Sequence, residues 1–290
     1  MSPMFDALPD TALTPLQQSA EYAAALTLFG SPPLHVPGGP LVLVRRFGPV
    51  TLGMIPRGGA DALERLRAQP GWARRPVILS PDAPGHAAGL PLISPAHVAT
   101  LDLTIGASAL RAGLKGKWRN RLVRAEALGL RIGRRALPDR TDQWLFRAEA
   151  AMQAARRYRT WPAALTLCYA RVNPGKAVLF TATDKGHTVA AMLFLRHGHG
   201  ATYHIGQTSA EGRARHAHTA LMWAAIKWHA AHGVRQLELG TIDTESAPGL
   251  ARFKRGTGAR VRPLGGTWLD APLLRPLAPF GRLDTRLMQG

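Results

Sequence analysis

The chain has a single cysteine, Cys168, in 290 residues. That excludes an internal disulfide and any zinc site built on several cysteines, and it fits a reducing compartment. No apolar run reaches the ~18 residues that a membrane helix needs. The first residues carry Asp6 and Asp10 but no lysine or arginine, so they do not read as a secretion signal. Lysine is scarce as well: six lysines stand against 31 arginines, a ratio that GC-rich codon usage produces without any function. The scarcity of acids has no such explanation. Only 18 aspartates and glutamates face 37 cationic side chains, for a formal charge of +19. A field of that sign draws polyanions: RNA, an anionic membrane face or a phosphorylated substrate. The hydrophobic content of 46% is that of a folded protein, and the length suits one large domain or two ordinary ones.

What is present falls into two stretches. Residues 1–14 read as a leader. Pro15-Leu16-Gln17-Gln18 opens an apolar helix that runs through Tyr22 and Leu26 and stops at Gly30. Leu41–Val44, Val50–Leu52 and Pro76–Leu79 read as strands, residues 59–69 as a short helix, and Pro81–His97 as loop. Leu101–Thr104 alternates like a strand. From Leu110 to Leu128 apolar residues recur at three- and four-residue steps. Arg111, Lys115, Lys117, Arg119, Arg121 and Arg124 surround that face, with Glu126 the one acid. Gly113 and Gly116 predict a break in this helix, and Gly129 a stop.

From residue 130 the pattern predicts a strand, a helix capped by Asp139 or Thr141, and a second helix after Pro162. Three strands follow, then a long helix over residues 216–232, then a strand over Arg235–Leu239. The closing region carries Phe253-Lys254-Arg255-Gly256-Thr257-Gly258-Ala259 and a Gly265-Gly266-Thr267-Trp268 strand.

This closing region, the Pro15–Tyr22 opening and the basic Lys117-Trp118-Arg119-Asn120-Arg121 helix together resemble FemAB-like transferases of the GNAT superfamily. The resemblance implies an α/β (α+β) fold of two GNAT-like domains, each a mixed central sheet flanked by helices. Residues 15–129 would form the N-terminal, degenerate domain, ending in a basic linker helix, and residues 130–290 the C-terminal one. It implies an N-acyltransferase that moves an acetyl, other acyl or aminoacyl group from acyl-CoA (acetyl-CoA) or aminoacyl-tRNA to an amine, without a metal. The partners it implies are an anionic donor or acceptor: CoA, tRNA, or a phosphorylated or lipid substrate. The protein would lie in the cytoplasm or at the inner face of the membrane, with peripheral membrane contact. The superfamily's acyl-CoA loop, Arg/Gln-x-x-Gly-x-Gly/Ala, is not matched by Gln207–His216, which has one glycine, so the donor stays open between the two. The alternative function is a non-catalytic protein on the same fold that binds RNA or an anionic membrane.

Acyl transfer to an amine needs a proton acceptor, a stabilised oxyanion and aligned substrates. Lys254 is the candidate cation for a phosphate or the oxyanion. Asp243 and Glu245, just past the strand that ends at Gly240, and His204 are candidate bases. Phe253 could stack on a base or anchor the core. Arg213 and Arg215 could pair with donor phosphates. Tyr203 and Gln207 complete the donor-binding candidates.

Overall fold

The computed structural model describes residues 13–85, 89–141 and 143–272; the expected leader lies, but for Leu13 and Thr14, outside them. A 3-10 turn, Leu16–Gln18, leads into α1 (Ala20–Leu28). There follow β1 (Leu34–His35), β2 (Leu41–Phe47), β3 (Val50–Gly58), α2 (Ala62–Arg67), β4 (Val77–Pro81), β5 (Leu90–Ile93) and β6 (His97–Asp102). Next come α3 (Ala107–Ala112), α4 (Gly116–Ala127), β7 (Arg131–Ala136), α5 (Trp144–Arg156), α6 (Ala163–Val172), β8 (Ala177–Asp184), β9 (His187–His197) and β10 (Gly200–Thr208). The chain then forms α7 (Ala210–Ala214), α8 (Ala217–Ala231), β11 (Gln236–Ile242), α9 (Pro248–Gly256), β12 (Arg260–Pro263) and β13 (Thr267–Asp270).

These elements divide into two compact units, each on a mixed sheet. The first holds the described residues up to Ser19, those within Pro32–Ala96 and those from Pro263 on. The second holds Ala20–Ser31 and His97–Arg262. The sequence had placed the boundary at 129/130. The structure draws it after Ala96, because β6 hydrogen-bonds along β11 and because Leu110, Leu114, Trp118 and Leu122 of the basic segment are buried in the second core.

In the first unit the sheet order is β1-β2-β3-β4-β13-β5, with β3 and β4 parallel. Val42, Ile55, Leu66, Trp72, Val77 and Leu79 are its buried centre. Two strands of this sheet depart from the sequence expectation. The Pro- and Gly-rich span 81–97 contains β5, which pairs with β13. The Thr267–Asp270 strand, assigned by sequence to the C-terminal domain, lies instead between β4 and β5. Asp270 is held there by the guanidinium of Arg67, which also bonds the carbonyls of Trp72 and Arg75.

In the second unit the order is β12-β6-β11-β10-β9-β8-β7. The run Val189–Leu195 is buried throughout, as expected of a central strand covered on both faces. Against one face, Leu221, Met222, Ala225 and Ile226 of α8 pack with Val178, Phe180, Met192 and Phe194. The basic segment breaks between α3 and α4 at Gly113, where its glycines predicted. The residue capping α5 is Gln143, not Asp139 or Thr141: its side-chain amide turns back onto the carbonyls of Pro138 and Arg140 at 2.9 and 2.8 Å.

Candidate active site

The site begins with two neighbouring parallel strands that part company. β10 and β11 are in register only at Gly200↔Gln236, Ala201↔Leu237 and Thr202↔Glu238. Beyond that point β10 stays with β9 as far as Thr208↔Ala190. β11 stays with β6 as far as Ile242↔His97. Each strand carries an irregularity where they separate, between Tyr203 and Ile205 on one and between Glu238 and Gly240 on the other. An extra residue in a strand bends it and strengthens its twist. Gly240 takes a positive φ of 78° there, a conformation that favours glycine.

The parting opens a cleft of about 720 Å³. Residues 203–208 line one side and Leu239, Gly240 and Thr241 the other; α5 and α9 supply Glu149, Met152, Arg156, Leu250 and Lys254. Lys254 sits on α9, a helix begun by Pro248 at its first position, where the sequence gave no expectation of a helix. It is 5% exposed, and its Nζ donates to the Thr241 carbonyl at 2.8 Å. Burial pushes its pKa down to about 8, against the opposing pull of Glu238.

His204 also lines the cleft. It shares a hydrogen bond with the Thr166 hydroxyl at 3.0 Å and packs on Trp161 at 4.8 Å. Burial pushes it down to about 4, so it is neutral at pH 7. Tyr203 borders the same space, its hydroxyl held above its ordinary range by burial. Gln207 donates to Glu149 Oε2 at 2.7 Å. Asp243 is at the rim and caps its own turn: Oδ1 accepts the amides of Glu245 and Ser246 at 3.0 and 2.8 Å, and those bonds, Ser246's first, lower its pKa.

A second hollow, about 990 Å³, shares Arg156, Thr208, Arg213 and His218 with the cleft. Arg121, His216, Thr219 and Phe253 complete this part of its wall. Phe253 stacks on His218 at 5.5 Å. A third, about 530 Å³, shares Arg121 and Gly249 with the second and adds Lys115, Lys117, Arg252 and Arg255. A basic trench thus leads to the parted strands.

Of the residues picked out by sequence, Lys254, His204, Asp243, Tyr203, Gln207 and Arg213 meet at the cleft, and Phe253 lies in the adjoining hollow. Two do not join them. Glu245 is outside the lining, and Arg215 is drawn away by an ion pair with Asp184 at 3.1 Å. Sequence reasoning missed Glu149, Arg156 and Tyr158. Glu149 left a signal: it is the one acid of α5 and falls on the same helical face as Leu145, Phe146 and Met152.

A family model described as an acetyltransferase (GNAT) domain matches residues 111–255, half of the chain. The chain belongs to the GNAT acetyltransferase family. It is an acyltransferase, and the matched segment contains the parted strands and Lys254. No curated protein sequence matches this GNAT protein. Among solved structures it is similar to FemX, at 13% identity and a TM-score of 0.68 over 91% of this chain and 94% of that one. It is also similar to the C-terminal domain (DUF2156) of a lysylphosphatidylglycerol synthetase-like protein from Agrobacterium fabrum, at 14% identity and a TM-score of 0.59 over 94% and 93%. A conserved protein from Bacteroides thetaiotaomicron shares 12% identity and a TM-score of 0.57 over 88% and 91%. These likenesses extend over both units of the GNAT protein, as the FemAB-like tandem architecture read from the sequence requires.

Proposed function

We propose that this protein transfers an acyl or aminoacyl group from a phosphate-bearing carrier to an amine within the β10/β11 cleft. The observation that carries the reading is Lys254: a buried ammonium beside the separated strand edges, at the end of a basic trench. The amine, neutral when it reacts, attacks the carrier's carbonyl through its nitrogen, and the bond to sulfur (thioester) or oxygen (ester) breaks; the proton that the nitrogen sheds returns to Lys254 once Lys254 has protonated the leaving atom, so the products are an amide and a free thiol or hydroxyl. Lys254 stabilises the oxyanion, a contribution of about 3–4 kcal/mol for one donor. With its lowered pKa it is also suited to give a proton to the leaving atom. His204, neutral and bonded to Thr166, is better suited to hold position than to take the proton. The arginines and first turn of α8 suit carrier phosphates, since a helix N-terminus favours anions. The trench continues past them to Lys115, Lys117, Arg252 and Arg255, more cationic surface than CoA needs. That favours aminoacyl-tRNA over acyl-CoA. The similarity to a lysylphosphatidylglycerol synthetase-like domain supports an anionic lipid surface as one setting for the acceptor.

Native mass spectrometry of the protein purified from cells tests the reading. Co-purifying tRNA is expected; co-purifying CoA would replace tRNA as the carrier. Transfer that is unchanged in Lys254→Ala would remove Lys254 from the mechanism. Binding of RNA or anionic vesicles with no transfer from either carrier would leave a non-catalytic binding protein on a GNAT fold.

A further inference from the structure

The transfer chemistry above makes no use of Glu149, the buried carboxylate in the wall of the cleft. It is 7% exposed. Oε1 accepts the Tyr158 hydroxyl at 2.9 Å and the Gln153 amide at 3.3 Å, and Oε2 accepts the Gln207 amide at 2.7 Å. Every one of these donors is neutral. Among the described residues no lysine or arginine forms an ion pair with it, although the chain has 37 cationic side chains to choose from. Other acids with low exposure do hold a cation: Glu21 pairs with Lys176, Asp184 with Arg215 and Asp270 with Arg67.

Burying a carboxylate without a cation is costly. A carboxylate offers about four acceptor positions, and the neutral donors occupy three. Glu149 itself lines the cleft of about 720 Å³, a space large enough for a substrate. A guanidinium, which binds through a two-pronged fork, fits poorly where both oxygens are already engaged. A compact ammonium needs only one acceptor position.

We propose that Glu149, held in place by Tyr158 and Gln207, seats a primary ammonium group of the substrate. The proposal rests on the reading of the cleft as the transfer site. The ammonium is either the resting form of the acceptor, which gives up that proton before it attacks, or the amino group of an aminoacyl donor, and the probes below distinguish them.

The test is an NMR-monitored titration of the full chain with n-pentylamine against pentan-1-ol, as a model acceptor, and with alanine methyl ester against its N-acetyl derivative, as a model aminoacyl group. In the wild-type protein at least one charged probe should bind about tenfold more tightly than its neutral counterpart. Glu149→Gln, which keeps the shape and removes the charge, should erase that preference. Glu149→Asp, which keeps the charge, should retain most of it. Thermal melts of both variants establish that they are folded. Collapse in the pentylamine arm assigns the site to the acceptor, and collapse in the ester arm assigns it to the donor. A preference that survives Glu149→Gln, or that is absent from the wild type, overturns the proposal. Lys254→Ala separates the two readings: transfer lost with ammonium preference intact supports both. Transfer retained while Glu149→Gln erases the preference refutes the transfer role of Lys254 alone.

Discussion

Lys254 stores an energetic cost at the place where the reaction is proposed to occur. Its pKa falls from 10.5 in the unfolded chain to about 8 in the folded one. Between those values the unfolded state holds one more proton, so stability rises with pH across that window. Below pH 8 the full penalty is present, on the order of 3 kcal/mol. Lys254→Met should therefore raise the unfolding free energy at pH 7 by up to about 3 kcal/mol, and the gain should fade toward pH 10.5. The same variant should lose roughly 100- to 1000-fold in kcat. Denaturant melts at pH 7 and pH 10, together with a transfer assay, check both outcomes. In the wild type, activity that depends on the protonated amine should decline as pH rises through about 8.

At the scale of elements, α9 is the part the sequence concealed. The Phe-Lys-Arg-Gly-Thr-Gly segment has the glycine content of a loop, yet all but its last two residues lie in a helix. The helix-start signal was Pro248 at its first position. Gly256 is required for packing: a Cβ there would lie 2.5 Å from Cδ1 of Trp118. Gly256→Ala should push α9 off α4, costing about 1–3 kcal/mol. Because Lys254 is two residues earlier, its burial should fall too. A shift in tryptophan fluorescence together with faster amine labelling of Lys254 would register this, and an unchanged spectrum would count against it.

Strands whose apolar residues are contiguous, such as Val189–Leu195, could be read from sequence because burial on both faces leaves a local pattern. The parting of β10 from β11 could not, because register is decided by which partner each strand keeps. His204 shows the difference. It could be placed on a strand where either it or Tyr203 should face a cleft, but not matched to Thr166 and Trp161, 38 and 43 positions away. Glu149 was legible in principle, as an acid on an apolar helical face, and only the structure reveals that its partners are neutral.

Charge acts over the whole molecule. With a formal +19, binding to a polyanion should weaken steeply with salt. If the trench holds RNA phosphates, neutralising Arg121 or Arg213 should each lower the slope of log K against log[salt] by about 1. Substituting Arg45, exposed on the other unit, should leave the slope unchanged. Filter binding of bulk tRNA between 50 and 200 mM salt, roughly the range over which such contacts are screened, would measure this. Arg67→Ala tests a different global link. It takes the guanidinium from Asp270, which is 2% exposed, and should cost about 3 kcal/mol in a thermal or denaturant melt.

The strand that Asp270 closes also has a consequence for how the protein is made. β13 occupies the slot between β4 and β5, about 180 residues after them in the chain. A ribosome delivers β1 to β5 early and must translate nearly all of the second unit before the filler arrives. Until then the nascent chain carries a split sheet with two open edges, while the second unit already has all of its strands. The enzyme's later half should therefore be the first to resist protease during synthesis, and its opening half the last.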